Sequence, residues 1–137
     1  MKKLILLSAF VLISLASFAQ QSQNSKTYDP KMIGCWKGSE VEQQQKGMSK
    51  YWVSCRLDNG TSILLFIAID ETGEVTQTTE NGKWWTENGK YYELHEVDGL
   101  VDVYEYEVQE NVVKYKSIEL MGKKDSSYSY IDTKIEN

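Results

Sequence analysis

One histidine, one proline, one arginine and two cysteines are all that this 137-residue chain holds of those four residue types. Each scarcity excludes something. With His95 alone, no cluster or pair of histidines can hold a metal, and no motif sets His95 beside a nucleophilic serine. His95 is read as a wall residue of its strand. No catalytic residue, metal ligand or cofactor is expected, and the chain is not read as an enzyme. The one proline, Pro30, marks an entry into structure and not a series of hinges. Basic residues are outnumbered. Setting aside Lys2 and Lys3 leaves 13 of the 15 basic residues against 20 acidic ones, a net charge of −7. That balance argues against nucleic acid and anionic membrane surfaces as partners. Beyond the first 19 residues no stretch is long and apolar enough to span a bilayer, so no membrane span is expected.

The first 19 residues have the pattern of an exported leader. Lys2 and Lys3 form a basic start, Leu4 to Leu15 a mostly apolar core, and Ser17-Phe18-Ala19 a small-residue cleavage site. A cut near Ala19 yields an exported, periplasmic or secreted protein of 118 residues out of 137, the length of one domain. No cysteine directly follows the cut, which speaks against a lipid anchor there. Residues 20–30 are polar and aperiodic and are predicted to be a disordered linker. Residues 31–137 are predicted to form the domain, with Lys31 to Ile33 making a short turn or helix that closes one end.

In an oxidising compartment Cys35 and Cys55 are a candidate disulfide. If Gln43 to Gly47 make a hairpin turn, both lie equally far from its centre, Gln45. They then face each other across two antiparallel strands, close enough for a bridge. The alternative is a pair of small buried thiols.

Turn signals follow at short, nearly regular intervals: Asp58-Asn59-Gly60, Glu71-Thr72-Gly73, Glu80-Asn81-Gly82, Glu87-Asn88-Gly89, Asp98-Gly99, Glu110-Asn111 and Gly122. Asn-Gly pairs favour the positive φ of tight hairpins. The segments between are rich in Val, Ile, Thr, Tyr and Trp, which suit a pleated surface. The fold class predicted is all-β, an antiparallel up-and-down barrel. It has nine strands if Glu80-Asn81-Gly82 is a turn, and eight if it is a bulge within one long bent strand. The strands are predicted at 34–41, 49–57, 62–69, 74–80, 83–87, 90–97, 100–109, 112–120 and 126–135.

Strand parity assigns faces. If Trp36 points inward, Cys35 points outward, and Trp52 and Arg56 join Trp36 inside. Tyr104, Tyr106 and Val108 share an aromatic face that is read as internal. Ile63 to Ile69 is apolar on both faces and so is expected to be covered on both. The segment around Lys31–Ile33 or a second subunit, making a homodimer through Ile63–Ile69, would supply the outer cover.

Gly34-x-Trp36, Trp52-x-x-x-Arg56-x-Asp58-x-Gly60-Thr61, Gly82-Lys83-Trp84, Gly89-Lys90-Tyr91-Tyr92 and Tyr104-x-Tyr106 together resemble small bacterial exported lipocalin-like domains, barrels of the calycin type. The resemblance spans nearly the whole chain after the leader. It implies an up-and-down β-barrel, often with an internal cavity. The well-known lipocalins also place a late basic residue across the first-strand Trp; here Arg56, Lys134 or neither could take that part.

Two readings of the aromatics stay open: they line a cavity, or they fill the barrel. The first gives the expected function, binding of a small hydrophobic or aromatic ligand by Trp36, Trp52, Arg56, Trp84, Tyr92, Tyr104 and Tyr106. The alternative is a protein-interaction or accessory module of the cell envelope without a small ligand. Arg56 is read as a polar anchor for a carboxylate or as a lid over Trp36. The carboxylates Glu93, Glu96, Asp102, Glu105 and Glu107 are read as a solvated outer face.

Overall fold

A computed structural model describes residues 26–136. The leader expected over 1–19 and the first part of the linker lie outside the described residues. The elements are a 3-10 turn (Pro30–Met32) and nine strands: β1 (Gly34–Val41), β2 (Ser49–Arg56), β3 (Thr61–Ile69), β4 (Val75–Glu87), β5 (Lys90–His95), β6 (Val101–Gln109), β7 (Val112–Leu120), β8 (Lys123–Lys124) and β9 (Ser129–Lys134). Eight of them close into an antiparallel barrel. β1 to β7 pair in sequence, β9 pairs with both β7 and β1, and the two-residue β8 hangs on the end of β7.

The nine-strand count fails at one place. Glu80-Asn81-Gly82 is no turn; it lies within β4, a single strand of 13 residues. Gly82 is where this strand changes partners, pairing with Ser62 of β3 and His95 of β5. A Cβ there would lie 2.5 Å from the Leu94 carbonyl oxygen, so the crossing needs glycine. Beyond Lys83, the partner of Thr61, β4 has outrun β3, and Thr27 bridges to Thr86. The chain is therefore ordered before Lys31: Tyr28 packs edge-on to Trp84 and Asp29 caps the 3-10 turn. The linker predicted over 20–30 includes residues that belong to the barrel wall and its plug.

One end of the barrel is filled. Met32 and Trp36 are wholly buried there, with Trp84, Tyr91 and Val113 around them. The Trp36 indole N–H donates to the Met32 carbonyl at 2.9 Å, which fixes the 3-10 turn across that end. The turn points inward, so it does not cover β3. Among the described residues the outer face of β3 has no such cover, and Ile63 is 45% exposed.

Cys35 and Cys55 are register partners on β1 and β2 and are joined by a disulfide on the outer wall. The seam between β1 and β9 is short. It has only the pairs Trp36–Lys134, Lys37–Thr133 and Gly38–Asp132, whereas β1 and β2 pair along their whole lengths. No helix among the described residues is long and apolar enough to cross a membrane.

Candidate functional site: a polar chamber in the barrel

Inside the barrel the closed end gives way to a chamber of about 140 Å³. It adjoins an outer hollow of about 370 Å³ that reaches the opposite mouth, near Gln44, Asp98 and Met121. The two share Leu64, Phe66, His95, Asp102, Tyr104 and Tyr128. The protein is thus a cup, plugged at one end and open at the other.

The floor is an ion pair. Arg56 is 1% exposed and Asp132 is fully buried, and the guanidinium Nη2 donates to Asp132 Oδ2 at 3.0 Å. Its Nε donates to the Tyr91 hydroxyl at 3.0 Å, and the Trp52 indole N–H takes the other Asp132 oxygen at 2.8 Å. Burial works against the Arg56 charge, but Tyr115, Tyr91, Asp132 and Glu93 outweigh it and keep the group fully protonated. Arg56 Nη1 and Ser54 Oγ, both buried, have no partner among the described residues.

The wall is acidic. His95 on β5 lies between two carboxylates, with Nδ1 2.6 Å from Glu80 and Nε2 3.0 Å from Asp102. The hydrogen bond to Asp102 leads in raising its pKa to about 9, against burial and with help from the charges of Glu93 and Asp102 and the bond to Glu80. It is an imidazolium at neutral pH. Asp102 also accepts from the Tyr104 hydroxyl and the Met121 amide. Glu93 shares the chamber with Arg56, His95, Asp102 and Asp132 but takes part in none of the bonds that tie them. Burial raises its pKa, which Arg56 and His95 lower and Asp102 and Asp132 raise further.

The residues expected to bind a ligand separate into three groups. Trp52, Arg56 and Tyr104 line the chamber. Trp36, Trp84 and Tyr106 belong to the plug instead: the Trp84 N–H is tied to the Leu57 carbonyl and the Tyr106 hydroxyl to Asp29. Tyr92 is on the outer wall, stacked 5.2 Å from Trp85, because its neighbour Tyr91 takes the inward position. The lid over Trp36 is shared: the Lys134 ammonium lies 5.5 Å and the Arg56 guanidinium 6.0 Å from its ring.

The expectation of a solvated acidic face holds for Glu96, Glu105 and Glu107, which are exposed, and fails for Glu93 and Asp102. Parity with Tyr91 and Tyr104 turns those two inward. That parity was the signal in the sequence that could have found them. Asp132 carries the same signal, because it shares parity with Tyr128 and Tyr130 at the end of the chain.

A second concavity of about 970 Å³ lies outside, where the β1–β9 seam ends. It is a shallow groove that mixes outward residues such as Lys37 and Ile131 with the inward Tyr115. Trp52 and Tyr130, edge to face at 5.3 Å, line both this groove and the inner chamber, so they are the wall between the two.

No protein-family model matches the chain, and no curated protein sequence does. Among solved structures it is similar to the lipoprotein YedD from Klebsiella pneumoniae, with a TM-score of 0.50 and 14% identity over 84% of this chain and 81% of that one. At that identity the likeness shows the fold, a small β-barrel, and no activity.

Proposed function

We propose that this is an exported, lipocalin-like carrier or sensor that holds a small hydrophobic or aromatic ligand in the open half of its barrel and performs no chemistry on it. The supporting observation is the cup itself. Leu64, Phe66, Tyr104 and Tyr128 surround a hollow that reaches the mouth, while the aromatics of the other end fill it completely. Lys134 and Arg56 beside the first-strand Trp36 agree with the lipocalin-like reading. Export is supported by the leader pattern and the disulfide, and the similar barrel is described as a lipoprotein.

Titration with hydrocinnamyl alcohol, a neutral phenyl probe, followed by two-dimensional NMR tests the reading. Saturable shifts are expected at Leu64, Phe66 and Tyr104, and a Leu64→Trp variant that fills the hollow should abolish them. Shifts confined to the outer surface, or no shifts at millimolar concentration with either this alcohol or the corresponding amine phenylalaninol, would refute it.

A second reading, contact with another copy of the chain, draws on the outer apolar strip in which Tyr51 and Ile63 are 46% and 45% exposed. Sedimentation across a concentration series separates the two readings: a monomer at all concentrations, unchanged by Ile63→Lys, removes the second.

A further inference from the structure

The chamber's fixed charges do not balance. Facing it are three carboxylates, Asp132, Glu93 and Asp102, against two cations, Arg56 and His95, and His95 is also held by Glu80 of the outer hollow. Asp132 neutralises Arg56 and is filled by the Trp52 N–H. Asp102 is filled by His95, Tyr104 and the Met121 amide. Glu93 is left over. It projects from β5 on the same face as Tyr91 and His95, into the space between the ion pair and the imidazole. In the same chamber, Arg56 Nη1 and Ser54 Oγ are also without partners among the described residues, in residues that are 1% and 4% exposed. A buried donor without a protein partner is met by whatever molecule occupies the chamber, be it water or the oxygen of a ligand. The inner chamber thus offers both an acceptor with excess negative charge and a donor. The outer hollow continues it with Leu64, Phe66, Leu120 and Met121.

We propose that the ligand is an aromatic or apolar amine whose head also carries an oxygen acceptor, as an amino alcohol or amino amide does. The ammonium lies against Glu93, the oxygen accepts from Arg56 Nη1, and the apolar body fills the outer hollow. This rests on the binding reading above and narrows it. Net charge supports it from outside, since the −7 of the chain without its leader draws cations toward the mouth. Burial raises the pKa of Glu93, so the charged form that an ammonium needs is lost at a higher pH than in a free carboxylate. Amine binding accordingly weakens as the pH falls into the raised range of Glu93, whose charged neighbours are Arg56 of β2, His95 of β5, Asp102 of β6 and Asp132 of β9.

Four probes with a common phenyl body test it on the disulfide-bonded protein by calorimetry and NMR: phenylalaninol, phenethylamine without the hydroxyl, hydrocinnamyl alcohol without the amine, and hydrocinnamate with the opposite charge. Phenylalaninol should bind about 30-fold tighter than hydrocinnamyl alcohol, the effect of one buried charged pair. Phenethylamine should fall between them and hydrocinnamate should bind worst. Glu93→Gln, which keeps the shape, should erase the preference for amines and leave the alcohol's affinity in place. A circular-dichroism melt of that variant confirms that it folds, and the four wild-type affinities decide the matter if it does not. Equal affinity for amine and alcohol, or tighter binding of hydrocinnamate, overturns the ligand class and leaves the binding reading standing. If none of the four reaches the chamber, both fall.

Discussion

The indole of Trp52 lies where a side chain on Gly38 would be. A Cβ built at Gly38 would sit 2.5 Å from two ring carbons and 2.6 Å from the indole nitrogen. The two residues are register partners on β1 and β2, and the ring crosses over the glycine to reach Asp132. Glycine at 38 is thus a packing requirement, set by the residue that separates the inner chamber from the side groove.

Gly38→Ala should therefore push Trp52 off Asp132 and open the seam between β1 and β9. Overpacking of this kind costs about 1–3 kcal/mol. Urea denaturation should show that loss, and the emission of Trp52, isolated by comparison with a Trp52→Phe background, should shift as its N–H meets water. Unchanged stability together with an unchanged spectrum would mean that the ring has free room to move.

Arg56 and Asp132 form the most deeply buried ion pair of the described residues, each side chain 1% exposed. Replacing one partner strands the other charge in the core, so Asp132→Ala or Arg56→Met alone should cost about 3–5 kcal/mol. The double variant Arg56→Met/Asp132→Leu should recover most of that loss, because it removes both desolvation penalties. Additive losses in the double variant, read from equilibrium unfolding, would show that the pair is not coupled as the geometry says.

These two relationships mark how far the sequence could be read. Parity from Trp36 placed Cys35 outside and Trp52 and Arg56 inside, and the structure agrees, because alternation in a strand is a local property. The hairpin centred on Gln45 was legible for the same reason, with Val41 facing Ser49 across it. What each inward residue meets is not local. Arg56 finds Asp132 from 76 positions away, and nothing in either residue's neighbourhood announces the other. Tyr91-Tyr92 shows the limit plainly: alternation says that one ring is inside, and only the wall around it decides which. The plug was half legible, through Pro30 and the short turn after it, but not the reach of Thr27 to β4.

His95 should make stability depend on pH in a definite direction. Its folded pKa of about 9 is raised from 6.5, chiefly by the hydrogen bond to Asp102. A raised histidine stabilises fully below its unfolded pKa, and that contribution is lost as the pH climbs through the folded one. Melting temperature should therefore fall between about pH 6.5 and 9. Burial raises the pKa of Glu93 too, so it acts in the same sense at lower pH, favouring the fold while it is protonated. His95→Gln should flatten the decline in the alkaline window, and, because His95 lowers the pKa of Glu93, its loss should raise that pKa further and move the acid side as well. A variant with the same slope as the parent in the alkaline window would remove His95 as its cause.

The bridge between Cys35 and Cys55 should contribute to stability mainly through the unfolded chain. The two residues are 20 apart, and their Cα atoms are 4.0 Å apart across β1 and β2. Closing a loop of that length is worth ~3 kcal/mol of lost unfolded-state entropy. That is a large share of the ~5–15 kcal/mol that holds a domain of this size together. Location adds to the effect. Trp36 pairs with Ser54 one step along the strands from the bridge, and on its other side β1 holds β9 through only three residue pairs. A loosened first hairpin therefore loosens the seam, and with it Trp52 and the floor of the chamber. The Cys35→Ala/Cys55→Ala double variant should melt well below the parent, and its amide hydrogens at Lys37 and Thr133 should exchange faster than those at Trp85 and Tyr92, which pair on β4 and β5 across the barrel from the seam. Mass analysis without reductant should show the parent two hydrogens lighter than its reduced form. Two free thiols in protein kept from reductant, or a double variant with the parent's melting temperature and uniform exchange, would show that the bridge is not what holds this side of the barrel shut.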